Sequence, residues 1–359
     1  MSSRWSDPPS DILPLIADHL HRQSAIPRLR SVCNSWRSSL SSLPSSSITF
    51  PLNLPSPLSN SPSSPTRHFS LHQRTVFLLS PLSDDGGCFI IKVEESGNPN
   101  TFSLFNPLFA RAKLPPSSSP VNLLDYRLTH VCDSYVVHSD SEDPIKKVVV
   151  GRDFLAKGDF VVLGLKYSGG LLFWKLGDEN WTEIMAFGRS FDDIICYNGK
   201  FYATADGNGR LVMIDSRLKP IDLVPKLTYG NGVCTSLVEC NGNLYLADRQ
   251  VDVRGVRFGV FKLDDKGHFW DYEPNLNGYV FFLGDDVNFS VFTKDYNGGI
   301  SDVIYFKDIF LHANDTSGFS QVFDMKTGTS WLVIDTENMG KFYWPPSSWF
   351  VGAETDSFH

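Results

Sequence analysis

Two closely spaced pairs of histidines are the first candidates for chemistry in this sequence. His19 and His21 form one pair, and His68 and His72 form the other. Imidazole nitrogens at such spacings can hold a metal ion when further ligands converge on it. Neither pair has a third ligand nearby in the spacing of a known metal motif. We therefore interpret all four as surface or loop histidines, and we expect neither a metal site nor a cofactor.

Motifs of the commoner catalytic sites are absent from the sequence. It contains no GxSxG nucleophile turn, no GxxxxGK[ST] phosphate loop, no HExxH zinc pair and no EF-hand loop, each of which places reacting groups at a fixed spacing. Gly207 and Gly209 do not complete a dinucleotide-binding fingerprint. The sequence therefore predicts a non-catalytic protein.

Acidic turns and tryptophans are the remaining candidates for a binding surface. Pairs of aspartates at 84–85, 192–193 and 285–286 are interpreted either as an acidic rim around a binding domain or as solvated turn residues. Tryptophans recur after apolar segments, and their similar placement favours packing between structural repeats over a ligand-binding face. These residues are Trp174, Trp181, Trp270 and Trp331.

The composition is that of a globular protein with a large core. The chain has 359 residues, of which 42% are hydrophobic, 13% aromatic and 20% charged. This length suits one large domain or two ordinary ones. The net charge of −8 argues against nucleic acid or a membrane surface as a partner of the main domain, because both attract clustered Lys and Arg.

The sequence predicts an intracellular protein of the nucleus, the cytoplasm or both. It lacks the apolar run of about 18 residues that a membrane helix needs and the pattern of a secretory signal peptide. Its six cysteines include no CxxC pair. In a reducing compartment we expect them to be small buried apolar residues.

Residues 4–43 have the periodicity of a short helical domain. Their apolar side chains recur at spacings of three and four, Ser10 suits an N-cap, and Pro27 suits the start of a second helix. A hairpin this short cannot bury both of its faces by itself. We therefore expect some residues of its apolar stripe to bind a partner and the others to form the hairpin's own small core. The candidate residues are Pro9, Ile12, Leu13, Ile16, Leu20, Leu29, Val32 and Trp36.

The residue composition changes twice after this hairpin. Residues 44–66 are rich in Ser and Pro and are interpreted as a linker or as an extended covering strand. Residues 67–352 contain short runs of β-branched and aromatic residues separated by Asn-Gly and Gly-Gly turn sequences. This pattern predicts strands and hairpins. YNGKFYA at 197–203 and CNGNLYL at 240–246 each predict a tight turn between two strands.

A unit of apolar strand, polar turn and tryptophan recurs in this β region. It is seen in LFWKLGDENW, VFKLDDKGHFW and VFDMKTGTSW; LVMIDSRLK lacks the tryptophan, and FSLFNPLFARAKLP resembles an earlier copy. A repeat of roughly 40 to 50 residues with several strands is typical of β-propeller blades. We predict a mainly β fold in which residues 67–352 form a propeller of about six blades, with five or seven also open. A pair of β-sandwiches is the alternative.

Two sets of motifs resemble known plant proteins. DILPLI followed by RLRSVCNSWR resembles an F-box. FKLDDKGHFWDYE, FFLGDDVNFSV, DVIYFKD, VFDMKTG and WPPSSWF occur in this order, and they resemble plant F-box proteins that carry the domain of unknown function 295, the SKP1-interacting partner 23-like family.

The resemblance implies a substrate-receptor subunit of an SCF-type cullin-RING ubiquitin ligase. In such a complex the F-box would bind a SKP1-like adaptor, and through it the cullin, while the propeller would bind a target protein. The eight apolar residues of the hairpin would then contact the adaptor. Arg28, Arg30 and Arg37 would either attract an acidic adaptor electrostatically or form a solvated face of the hairpin. Two alternatives stay open: a propeller that binds or processes a small molecule or glycan, and an F-box protein outside any ligase.

Overall fold

The structure is a computed structural model, and the chain divides into two compact units, Met1–Thr49 and Phe50–His359. It describes residues 48–57, 68–82, 88–95, 102–111, 113, 126–139, 144–185, 188–227, 232–253, 255–293, 301–307 and 320–332. The predicted helical domain at 4–43 lies outside these residues, as does the end of the predicted propeller beyond residue 332.

The described residues form strands and contain no helix, which confirms the mainly β class. No helix in this part of the chain is therefore long and apolar enough to cross a membrane. We divide the strands into five groups by chain order. The first group contains β1 (Leu52–Leu54), β2 (Phe69–Pro81), β3 (Phe89–Glu95), β4 (Phe102–Phe105) and β5 (Tyr126–Ser139).

The second and third groups have four strands each. The second contains β6 (Ile145–Arg152), β7 (Phe160–Lys166), β8 (Leu171–Lys175) and β9 (Thr182–Ile184). The third contains β10 (Phe191–Tyr197), β11 (Lys200–Ala205), β12 (Arg210–Ile214) and β13 (Pro220–Val224).

The fourth and fifth groups complete the described strands. The fourth contains β14 (Cys234–Cys240), β15 (Asn243–Asp252), β16 (Gly255–Leu263) and β17 (Trp270–Tyr272). The fifth contains β18 (Tyr279–Leu283), β19 (Asn288–Phe292), β20 (Val303–Lys307), β21 (Ser320–Asp324) and β22 (Thr329–Leu332).

Hydrogen bonds order the strands within each group. The orders are β5-β2-β3-β4, β6-β7-β8-β9, β10-β11-β12-β13, β14-β15-β16-β17 and β19-β18-β20-β21-β22, with β1 added to β2. Neighbouring strands are antiparallel except β18 and β20, which are parallel. A single residue pair, Tyr135 with Val148, joins the first group to the second.

The first strand in each of these orders lies in an inner ring. β5 contacts β6, β6 contacts β10, β10 contacts β14, β14 contacts β19, and β19 contacts β5. The sheets therefore radiate from a common axis, as the propeller prediction requires. The described strands form four hydrogen-bonded sheets, of which the nine-stranded one contains the first and second groups. The predicted number of blades, about six with five or seven also open, stays a prediction.

Apolar clusters fill the spaces between neighbouring sheets. Val76 and Ile90 of the first group pack with Phe282 and Val303 of the fifth. Equivalent clusters join the second group to the third, the third to the fourth, and the fourth to the fifth. Strands covered on both faces have no polar alternation, which explains why six consecutive residues of β7 are buried.

The recurring tryptophans take part in this packing. Trp331 packs against the cluster between the fifth and first groups. The Trp270 indole N–H donates to the carbonyl of Gly209 in the preceding group at 2.7 Å. The Trp181 indole N–H donates to the carbonyl of Pro55 at 2.9 Å, and the ring of Trp174 lies 6.3 Å from that of Trp181. The predicted packing role is confirmed for Trp270 and Trp331.

Both predicted Asn-Gly turns are confirmed. Asn198 and Gly199 have φ values of 48° and 70° and connect β10 to β11. Asn241 and Gly242 have φ values of 49° and 71° and connect β14 to β15. Two consecutive positive φ values in a two-residue loop define a type I′ turn, whose twist matches that of the paired strands.

The described part of the Ser/Pro-rich segment is extended. Within it, Leu52–Leu54 form β1, which pairs with Phe69–Leu71 at the start of β2. The ring of Phe50 lies 5.9 Å from that of Tyr135 in the first group and 6.2 Å from that of Phe160 in the second. Residues 50–55 thus cover the junction of these two groups.

Candidate functional site

A pocket of about 480 Å³, called the channel below, lies among the five inner strands. This volume lies within the range of about 300 to 1,000 Å³ typical of small-molecule sites. All five inner strands line it: residues 131–135 of β5, 147–150 of β6, 194–196 of β10, Leu237 and Glu239 of β14, and 288–290 of β19.

Asp193 connects four of the five groups beside this channel. Its Oδ1 atom lies 2.6 Å from Lys147 Nζ of β6. Its Oδ2 atom accepts hydrogen bonds from the Leu237 N–H of β14 at 2.8 Å and from Asn288 Nδ2 of β19 at 2.7 Å. Asp193 and Lys147 are both buried, so each charge depends on the other for compensation.

A second buried ion pair connects the first and fifth groups. Lys92 Nζ of β3 lies 2.6 Å from Asp286 Oδ1 and donates to the Phe109 carbonyl at 3.3 Å. Complete burial lowers the pKa of Lys92, and the adjacent Asp286 carboxylate opposes that shift. These contacts fix the position of the segment that leads into β19.

The prediction for the acidic turns is wrong for Asp193 and Asp286. Asp193 and Asp286 are buried ion-pair members rather than rim or solvated turn residues. Asp192 accepts from the Gly207 N–H at 2.8 Å and from Thr235 Oγ1 of β14 at 3.3 Å, and Asp285 lies 3.2 Å from Lys307. Both connect one part of the fold to another. The aspartates at 84–85 lie outside the described residues.

Two buried acceptors of the channel have no hydrogen-bond partner among the described residues. They are Ser134 Oγ and Asp286 Oδ2, on side chains of residues only 2% and 4% exposed. Buried polar atoms are generally satisfied by protein, water or ligand. The channel can therefore accept hydrogen-bond donors from water or from a small polar molecule.

Burial shifts the pKa of three ionisable groups of the channel toward the neutral form. Burial raises the pKa of Cys196 to about 11 and raises that of Cys132 further. It also raises the pKa of Glu239. A protonated thiol is a weak nucleophile, and the described lining residues include no histidine to activate one. The arrangement suits binding better than covalent chemistry.

Sequence reasoning missed a polar cluster in the first group. His72 of β2, Glu94 of β3 and His138 of β5 come together there, around the buried guanidinium of Arg74. The sequence interpretation paired His72 with its neighbour His68, whereas its partners in the cluster, Glu94 and His138, are distant in the chain. Only the register of three strands could have revealed the cluster, since Ser70 opposes His138 and His72 opposes Val136.

The candidate adaptor-binding residues lie outside the described residues. These are Pro9, Ile12, Leu13, Ile16, Leu20, Leu29, Val32 and Trp36. Their predicted role stays a prediction.

Comparison with known families agrees with the radial β architecture. The sequence model described as "KIB1-4 beta-propeller" matches residues 45–339. The chain belongs to the KIB1-4 β-propeller family. This match begins within the Ser/Pro-rich segment, where β1 joins the first group.

Curated relatives of this KIB1-4 family member are F-box proteins. F-box protein SKIP23 of Arabidopsis thaliana is 27% identical, and the match covers 97% of this chain and 95% of the relative. Putative F-box protein At5g60060 of the same plant is 30% identical over 84% of this chain and 90% of the relative. The resemblance to plant F-box proteins is therefore confirmed.

Solved structures are more distant from the chain. A virginiamycin B lyase from Staphylococcus aureus is 13% identical, with coverage of 75% of this chain and 76% of that chain and a TM-score of 0.30. The WD40 domain of SCAP from fission yeast is 11% identical, with coverage of 75% and 67% and a TM-score of 0.27. Likenesses at this level support no conclusion about function.

Proposed function

We propose that this chain is a non-catalytic substrate receptor of an SCF-type cullin-RING ubiquitin ligase. The observation that carries the proposal is the extent of the match to F-box proteins. Because the match to F-box protein SKIP23 covers 97% of this chain, it includes most of the N-terminal hairpin as well as the β region. A propeller alone would not require that relationship.

The hairpin at 4–43 supplies the adaptor-binding part of this proposal. Its apolar stripe, from Pro9 to Trp36, binds a SKP1-like adaptor, which in turn connects the chain to a cullin. A short helical hairpin gains stability by burying such a stripe against another protein. The segment 44–66 then joins the hairpin to the propeller.

The propeller holds the target protein in this proposal. We infer five blades, one for each described strand group, closed through the contact between β5 and β19. The buried ion pairs beside the channel hold neighbouring strand groups in fixed positions. Surface loops on such a rigid domain can present binding residues to a target protein. We place the protein inside the cell, which the free state of the five described cysteines supports.

Affinity purification of the full-length chain tests the adaptor step. Tagged wild-type protein, expressed in plant cells with a proteasome inhibitor, is expected to recover a SKP1-like adaptor and a cullin. The double variant Leu13→Ala with Trp36→Ala should lose both. Met185→Ala with Val253→Ala is the matched control, because both side chains are exposed on the propeller, and it should recover both proteins.

The outcomes separate the proposal from its alternatives. Recovery of the adaptor without a cullin would favour an F-box protein outside the ligase. Equal recovery of the adaptor by wild type and by the double variant at Leu13 and Trp36 would reject the predicted binding stripe. Target proteins are identified as those enriched by proteasome inhibition with wild type and retained by the hairpin variant.

A further inference from the structure

Three metal-binding side chains from three strands meet in the first group. His72, Glu94 and His138 each place one ligand atom within 4.8 Å of the others. His72 Nδ1 and Glu94 Oε1 lie 3.0 Å apart, and the centroids of the two imidazole rings lie 4.4 Å apart. Ligands about 2.0 to 2.2 Å from a tetrahedral Zn²⁺ are separated from one another by roughly 3.3 Å. The side chains thus need to move only slightly to surround an ion.

We propose that His72, Glu94 and His138 form a binding site for one Zn²⁺ ion, with a fourth coordination position left for water. Two imidazole nitrogens and one carboxylate oxygen form a ligand set that zinc favours. The side chains of His72 and Glu94 are 22% and 16% exposed, so an ion can enter from solvent. Neither the ligase proposal nor the propeller fold depends on this site.

Burial and hydrogen bonding shift the pKa values of two of the ligands toward the forms that bind zinc. Burial lowers the pKa of His138 to about 4, and the neighbouring His72 and Arg74 add to this shift. Burial alone would raise the pKa of Glu94, but hydrogen bonds from His72 and Arg74 outweigh it and hold the value at about 2.

Neighbouring polar groups orient two of the ligands. Ser70 Oγ lies 3.0 Å from His72 Nε2, which leaves Nδ1 directed at Glu94. Arg74 Nε donates to Glu94 Oε2 at 2.7 Å, which leaves Oε1 for the ion. Hydrogen-bonded partners of this kind fix the orientation of zinc ligands in known sites.

Arg74 also limits the affinity of the site. Its Nη2 atom lies 3.2 Å from His138 Nε2, and this contact is lost when His138 binds the ion through Nε2. Arg74 stays in place through Glu94, the Ala110 carbonyl and the ring of Phe105, 3.7 Å from its guanidinium. Because its positive charge opposes that of the ion, we expect micromolar rather than nanomolar binding.

Zinc titration of the chelator-treated full-length protein tests the proposal. Isothermal titration calorimetry should detect one Zn²⁺ per wild-type chain beyond the number bound by His72→Gln or His138→Gln. Each substitution should weaken this binding at least about tenfold. Co²⁺ in place of Zn²⁺ should give the visible absorption of a four-coordinate site in wild type and lose it in both variants.

His68→Gln is the matched control, because His68 is exposed and precedes β2. It should bind Zn²⁺ with the wild-type affinity. Thermal unfolding without metal checks that His72→Gln, a change at a partly exposed position, leaves the fold intact. If wild type binds no zinc at about 100 μM, a level well above micromolar affinity, the cluster is only a hydrogen-bonded network. Equal binding by wild type and both variants would likewise overturn the site.

Discussion

Single charged residues beside the channel connect sheets that are distant in sequence. Asp193 contacts Lys147, Leu237 and Asn288, each from a different strand group. Removing one member of a buried ion pair leaves the other charge without compensation, which costs more than the pair itself contributes. Residues of this kind therefore contribute to stability by joining strand groups that are distant in sequence.

Asp193→Asn is expected to lower the free energy of unfolding by about 3 to 5 kcal/mol, because it leaves Lys147 buried and unpaired. Urea denaturation measures the change. Asp222→Asn is the control: Asp222 pairs with Arg189 at 2.7 Å, but its side chain is 46% exposed. That substitution should cost no more than about 1 kcal/mol. Equal costs would contradict the central role of Asp193.

His138 predicts a specific dependence of stability on pH. Its pKa falls from 6.5 to about 4 in the folded protein, chiefly through burial. As pH falls from 6.5 to 4, the unfolded chain takes up this proton before the folded chain does, so folding stability decreases. Above pH 6.5 the full stability is present.

Urea denaturation across this pH range, with a chelator present, tests the contribution of His138. Between pH 6.5 and 4, wild type should lose about 1 to 3 kcal/mol more than His138→Gln, which has no imidazole to titrate. His68→Gln should follow the wild-type curve. Parallel curves for wild type and His138→Gln would contradict the assigned pKa.

At the scale of elements, tight turns set the register of the inner hairpins. The Asn198–Gly199 turn places Tyr197 opposite Lys200, and the Asn241–Gly242 turn places Cys240 opposite Asn243. A slip by one residue would exchange the two faces of each hairpin. These turns therefore position the channel-lining residues of β10 and β14.

Gly199→Val should destabilise the protein by about 1 to 2 kcal/mol through backbone strain. Its φ is 70°, and a Cβ there would meet no atom within 4 Å, so steric overlap with neighbours makes no contribution. Gly164→Ala is the comparison, because its φ is not positive and its Cβ would lie 3.6 Å from Trp181. Thermal unfolding should show a loss for Gly199→Val and little change for Gly164→Ala.

At the scale of the whole molecule, the start of the second unit covers the junction between the first and second groups. Among the described residues, one pair connects the two groups by ladder hydrogen bonds. Phe50 packs near Tyr135 and Phe160, and Pro55 accepts the hydrogen bond of Trp181. This short segment therefore stabilises the junction of the first and second groups.

Two truncations separate the hairpin from this covering segment. Removal of residues 1–43 should leave the melting temperature of the β unit nearly unchanged, because that unit begins at Phe50. Removal of residues 1–57 also deletes β1 and the contacts of Phe50 and Pro55, and should lower the melting temperature by several degrees, roughly 2 to 4 °C per kcal/mol lost. Equal melting temperatures would contradict the role of the segment.

Local patterns in the sequence determined the class of structure, the hairpin turns and the packing role of two tryptophans. Each depends on neighbours in the chain: Asn-Gly adopts positive φ readily, and runs of β-branched residues fit buried strands. The family resemblance was readable for the same reason, because its motifs are contiguous runs such as VFDMKTG.

Tertiary structure alone decided the number of strand groups, the roles of Asp193 and Asp286, and the meeting of His72 with Glu94 and His138. An aspartate in a turn has the same local pattern whether it faces solvent or a buried lysine, and Lys92 lies 194 residues from Asp286. Which side chains meet depends on strand register and on how the ring closes. Those are properties of the folded chain, since they involve pairings between segments that no local sequence pattern records.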